Sequence, residues 1–141
     1  MQHRLQPWLS LLLLILGGMA YVLFRPRTLL LFVVADAVGM GPWTDRLRLA
    51  ASGLQPPEWV VFSGPGGLWA AAYIVLTDWL TQGRAARWRL LAALPVPLAG
   101  AVSELMQAMG LVPGTFDVGD LVCYLLPYIL YGGVRKLGVK S

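Results

Sequence analysis

The chain has 141 residues, of which 57% are hydrophobic and only 13% charged, and its mean hydropathy is +0.66. A soluble globular domain is about half apolar and a quarter charged, so this balance argues against a water-soluble fold and makes the bilayer the expected solvent. The net charge of +4 does not imply a nucleic-acid partner, because the Lys and Arg residues stand at the ends of apolar runs, where they anchor and orient helices.

The first apolar run, Trp8 to Phe24, is interrupted by the polar Ser10 alone and is flanked by Arg4 and by Arg25 and Arg27. It exceeds the usual core of a signal peptide and ends at Arg25-Pro26 without a small-x-small cleavage pattern, so it is read as an uncleaved span. Leu29 to Met40 is a shorter apolar run broken by Asp36 and closed by Gly41-Pro42. At about 1.5 Å per residue it falls short of a ~30 Å hydrocarbon core, which predicts a half-span or re-entrant helix. Trp43 to Glu58 mixes Asp45, Arg46 and Arg48 with Leu47 and Leu49 and ends near Pro56-Pro57, the pattern of a short helix lying at the interface.

The Ser63-Gly64-Pro65-Gly66-Gly67 break precedes Leu68 to Leu80, and the two together predict a bent or broken span beginning near Trp59. This glycine run lacks the Lys and Ser or Thr of a phosphate loop. Gln82 to Arg89 supplies Arg84, Arg87 and Arg89 with no acid, and Leu90 to Met109 forms the next span, with Pro95 and Pro97 near its start and Glu104 and Gln107 near its end. The last span, Val118 to Tyr131, contains Asp120, Cys123, Tyr124 and Pro127 and runs into Arg135, Lys136 and Lys140. Cys123 is the single cysteine, so no intrachain disulfide forms. Trp43, Trp59, Trp79 and Trp88 fall at segment ends, as an aromatic belt requires. These elements predict one domain over residues 1–141: an all-α, polytopic transmembrane helical bundle of four spans plus a short re-entrant or fifth helix.

Positive residues gather in the loop with Arg84, Arg87 and Arg89 and in the C-terminal tail, while Gly110 to Asp117 carries none. The loop and C-terminus are therefore expected in the cytoplasm and the 110–117 turn on the outer face, whichever side holds the N-terminus.

Ionisable groups in an apolar bundle cost about 2.5–3.5 kcal/mol each at the membrane centre, so they mark interiors and functional sites. Glu104 and Gln107 share a helical face three residues apart, and the following turn brings Asp117 and Asp120, also three apart, to the start of the last helix. One reading is structural: Thr115 or Asp117 caps that helix, and Glu104 with Gln107 clamps two helices together. The other makes Glu104, Gln107, Asp117 and Asp120 the floor of an outward-facing pocket, with Asp36 joining them or pairing with Arg25 or Arg46. Asp78 is expected to be a satisfied interfacial charge near Arg84. His3 is the only histidine, which leaves Ser-His or Cys-His catalysis without a base in the bundle. Oxygen ligands alone suit a hard cation, not zinc. No catalytic residue, metal or cofactor is assigned.

The stretch Ser103-Glu104-Leu105-Met106-Gln107, followed after a turn by Phe116-Asp117-Val118-Gly119-Asp120, resembles the VanZ-like family of small bacterial membrane proteins: an E-x-x-Q helix end, a turn, and an F-D-x-x-D helix start. The resemblance is specific over about the last fifty residues. Two positions depart from it, Gly114 where the family often has Arg and Tyr124 where it often has Asn. It implies a multi-pass protein of the bacterial cytoplasmic (inner) membrane, a family named for glycopeptide-antibiotic resistance, with no reaction firmly attached to it. The resulting expectation is a non-enzymatic envelope protein whose acidic outer turn binds a polar lipid or glycan group or a partner. Membrane lipids are the expected partners and other membrane protein subunits the possible ones; an accessory or scaffolding subunit and a membrane enzyme acting on lipid-linked substrates are the alternatives.

Overall fold

A computed structural model describes residues 2–138, with side chains from Leu5 to Arg135. The described residues form eight helices and no strand: α1 (Gln2–Phe24), α2 (Leu30–Ala37), α3 (Gly41–Ala50), α4 (Glu58–Phe62), α5 (Gly64–Leu80), α6 (Ala86–Ala93), α7 (Pro95–Ala108) and α8 (Val118–Gly138). The all-helical expectation holds. Ser63 separates α4 from α5 where the glycine run begins. The expected single span over Leu90 to Met109 is in fact two helices, α6 and α7, bent by 42°. Pro95 and Pro97 explain the bend, since neither ring nitrogen can donate to the preceding turn.

Side-chain contacts fix the directions of the long helices. The α1 helix runs antiparallel to α5: Gln6 reaches Asp78, the Ser10 hydroxyl donates to Ala72 O at 2.7 Å, and Arg25 donates to Phe62 O at 2.9 Å. Parallel to α5 lies α8, since Gly119 meets Ser63 and Gly66 meets Tyr124 at one end while Tyr131 meets Asp78 at the other. The α6–α7 pair returns between them, tied by Tyr73 to Ala92 O and by Tyr128 to Leu90 O. The chain thus passes from end to end of the bundle four times.

Neither α2 nor α3 adds a pass. Both fold back over the last turns of α1, where Arg48 donates to Val22 O at 2.7 Å and Arg25 O at 2.8 Å and lies over the fully buried Phe32 ring. Leu29 to Met40 therefore yields an eight-residue helix, about 12 Å long, and both ends of the described chain lie at the same end of the bundle.

The described core combines few large apolar side chains with small and polar ones. Small residues such as Ala70, Ala72, Ala93 and Ala101 are buried, together with Ser10, Ser63, Asp78 and Glu104. Leu11, Leu12, Leu14, Ile15 and Leu16 of α1 are exposed. Backbones approach closely at glycine: a Cβ on Gly17 would lie 2.6 Å from Trp69 Nε1, and one on Gly67 would lie 3.1 Å from Cys123 O. Small residues at helix contacts serve this purpose where apolar surroundings give helices no hydrophobic drive to associate. By length and composition alone, however, only Leu5–Phe24 is one helix able to cross a bilayer, with the bent α6–α7 pair a second if it counts as one span. That is fewer than the four spans expected.

Candidate functional site

At the end of the bundle where α1 finishes and α8 begins, the chain turns through residues 109–117 and α8 opens on Asp117. The Asp117 carboxylate accepts the Gly119 N–H at 2.7 Å, and its carbonyl accepts the Leu121 N–H at 3.2 Å, so Asp117 is the N-cap of α8. Glu104, only 5% exposed, accepts the Asp117 N–H at 3.2 Å and ties α7 to the turn. Gln107 lies across Gly114, where a Cβ would come within 2.7 Å of the Gln107 amide carbon. Gly114 has φ +135°, a conformation L side chains rarely adopt. The structure thus brings Glu104, Gln107 and Asp117 onto one turn.

Asp120 sits one helical turn beyond the cap, and its buried Oδ1 has no hydrogen-bond partner among the described residues. Tyr124, a further turn along, lies against Gly66 and Gly100. Arg25 lies over the rings of Phe62, at 5.0 Å, and Tyr21, at 5.5 Å. Beside these groups opens a cavity of about 360 Å³ lined by Glu58, Trp59, Phe62, Ser63, Asp117 and Gly119. It presents two carboxylates, two aromatic side chains and the buried Ser63. Glu58, Trp59, Phe62 and Ser63 did not stand out in the sequence as site residues. The available signal was an acid after Pro56-Pro57 and a serine at the break, which becomes a wall only once α5 and α8 pack in parallel.

Asp36 does not line this cavity. Its carboxylate takes Arg27 at 2.6 Å, rather than Arg25 or Arg46, and Arg27 also bonds Asp45. The hydrogen bond to Asp45 is the main influence holding the Arg27 guanidinium above its ordinary pKa, against desolvation, with Asp36 adding to it. A base with a raised pKa contributes stability below its ordinary value and loses it only as pH rises through the raised one. This clamp therefore persists across the working range on the arginine side. Arg46 instead lies over Trp43.

Asp78, 4% exposed, is a satisfied charge as expected, but its partners do not include Arg84. Its carboxylate receives Arg89 at 2.6 Å, Gln6 at 3.1 Å, and Arg135 and the Tyr131 hydroxyl, while Gln82 donates to Gln6 at 2.7 Å. One side chain thus joins α1, α5, α6 and α8 at the far end of the bundle. Two arginines on one carboxylate leave a positive excess, and the Nε–H groups of Arg89 and Arg135 are buried without partners among the described residues.

Comparison of the chain with family models, with curated proteins and with solved structures finds no match. Function is therefore argued from geometry. Among the described residues no three His, Cys, Asp or Glu side chains form a set able to hold a metal ion. The acidic end offers acceptors and ring faces, suited to hydroxyl or ammonium groups.

Proposed function

We propose that the chain is a VanZ-like, four-span protein of the bacterial cytoplasmic membrane, and that the cavity between Glu58, Trp59, Phe62, Ser63 and Asp117 faces outward and binds a hydroxyl- or ammonium-bearing group of a lipid or glycan precursor. The observation that carries the membrane reading is the burial of Asp78 and Glu104 while the leucines of α1 stay exposed. Four end-to-end passes of the chain support a reading in which both described ends lie on one side of the membrane. Arg84, Arg87, Arg89 and Arg135 lie at that end, with Arg4 and Lys136 in the terminal turns of α1 and α8; the positive-inside rule makes it cytoplasmic. At the opposite end Arg27 is engaged by two acids and Arg25 and Arg48 by backbone carbonyls, which fits the outer face. The departure at Gly114 is consistent with a binding role that needs no arginine there, since Gln107 occupies the space such a side chain would enter.

Two measurements test this. A cysteine at Thr115, in a chain with Cys123→Ser, should react with a membrane-impermeant maleimide added to intact cells; reaction only after lysis would reverse the orientation. Detergent-purified protein should retain ethanolamine-headed lipid over choline-headed lipid, whose quaternary nitrogen cannot donate to these acceptors, and Glu58→Gln with Phe62→Leu should erase that preference. An unchanged preference in the variant would remove the cavity from the function. A second protein chain that co-elutes with wild type and is lost from the same variant would turn the cavity into a subunit contact.

A further inference from the structure

We infer that the cytoplasmic end of the bundle holds the phosphate of an anionic lipid headgroup, in the cleft formed by Thr81, Arg84 and Trp88, with Arg87 beside it. The inference rests on the membrane reading above but concerns a separate site. The cleft, about 300 Å³, is built by the reversal between α5 and α6. Gly83, at φ +79°, allows the turn, and the Arg84 N–H closes it on Thr81 O at 3.1 Å. Its volume is at the lower end of small-molecule sites, which run about 300–1,000 Å³.

The charge balance points to an anion. Of the seven acidic residues in the chain, Asp78 alone lies at this end, and it is already saturated by Arg89, Arg135, Tyr131 and Gln6. It has nothing left to neutralise Arg84 or Arg87, which form no ion pair among the described residues. The Thr81 hydroxyl gives its proton to Thr77 O at 2.6 Å, so the donor side chains left among the cleft's lining residues are Arg84 and Trp88. Both are exposed. Arg87 stacks over the Trp88 ring at 5.4 Å, placing a second guanidinium at the rim. A forked guanidinium matches the geometry of phosphate oxygens. An exposed tryptophan with one apolar and one wet edge belongs at headgroup depth. A lipid phosphate arrives at that depth on its own diffusion plane, whereas a free phosphate has to leave bulk water.

The test is native mass spectrometry of the full chain in detergent, supplied in turn with phosphatidylglycerol and phosphatidylcholine. Wild type should retain phosphatidylglycerol preferentially, and Arg84→Gln and Arg87→Gln should each weaken that retention about fivefold, while Arg46→Gln at the opposite end leaves it unchanged. Equal retention of the two lipids by wild type, or unchanged phosphatidylglycerol retention in the Arg84→Gln/Arg87→Gln variant, would overturn the site. Inorganic phosphate competing as well as the lipid would assign the cleft to free phosphate and overturn the lipid. An acidic protein chain released by the double variant, with lipid retention intact, would do the same in favour of a protein partner. Recovery of the chain without detergent would instead fail the membrane reading on which all of this rests.

Discussion

The two ends of the bundle handle their carboxylates in opposite ways. At the Asp78 end one acid collects Gln6, Arg89, Tyr131 and Arg135 from three other helices, so charge holds the helices together. At the Glu104 end the acids are spent locally: Asp117 on its own helix start, Glu104 on the turn thirteen residues away, and Asp120 with one oxygen unpartnered. The first arrangement is a lock; the second is a framed opening. A saturated acid has no capacity left for a ligand, so burial alone does not identify a binding group, and the spare acceptors lie where the partners are fewest.

The sharpest way to break this contrast is Asp78→Asn. Removing the negative charge leaves two guanidinium groups facing each other, and the loss of one partner in a buried ion pair costs about 3–5 kcal/mol. We expect a large fall in folded yield and in detergent thermal stability, measured by fluorescence-detected size exclusion. A wild-type melting curve for this variant would mean that the four helices are held by packing alone.

Close packing, not charge, dominates nearer the acidic end, where a Cβ on Gly100 would enter the Tyr124 ring. Gly100→Ala should destabilise by about 1–3 kcal/mol through overpacking. Combination with Tyr124→Ala should recover part of that loss, a coupling that a double-mutant cycle reads directly. Additive losses would show that the ring is not what the glycine accommodates.

How much of this was legible depended on the range of each interaction. The helical class, the break at Ser63 and a cap at Thr115 or Asp117 are local matters of periodicity, glycine and the first turn of a helix, and the sequence carries them, while the choice of Asp117 comes from its bond to the Gly119 N–H. The bend at Leu94 was foreshadowed by Pro95 and Pro97, although proline spacing does not state its size. The partners of Asp78 lie 72, 11, 53 and 57 residues away, and no spacing rule distinguishes Arg89 from Arg84 before the helices are packed. Asp36 illustrates the same limit: three arginines were near enough in sequence, and the fold-back of α2 chose Arg27. The cavity walls at Glu58 and Ser63 likewise exist only through the parallel packing of α5 and α8.

A smaller effect separates capping from binding. Asp117→Ala removes the acceptor for the Gly119 N–H and should cost about 1 kcal/mol, the usual loss at an N-cap, with Asp117→Ser recovering most of it. Thermal shifts in detergent would check this, and a loss several times larger would mean that Asp117 also holds the Glu104 contact in place.

The smallest expected change in stability is the most telling. Asp120 lies on the same helix start as Asp117, yet its Oδ1 is buried with no partner among the described residues, so it contributes little hydrogen bonding to hold the fold together. Asp120→Asn should leave the melting temperature unchanged or raise it slightly, within about 1 kcal/mol, because an amide is easier to bury than a carboxylate. A group whose replacement stabilises the fold is kept for another reason, the usual trade of stability against function at sites. Asp120 stands one helical turn behind Asp117 and outside the cavity lining, so the same variant should weaken retention of ethanolamine-headed lipid only through loss of the charge Asp120 adds there, while the protein remains folded. A destabilised Asp120→Asn protein would instead make Asp120 a second structural acid, and the two ends of the bundle would then differ in geometry but not in purpose.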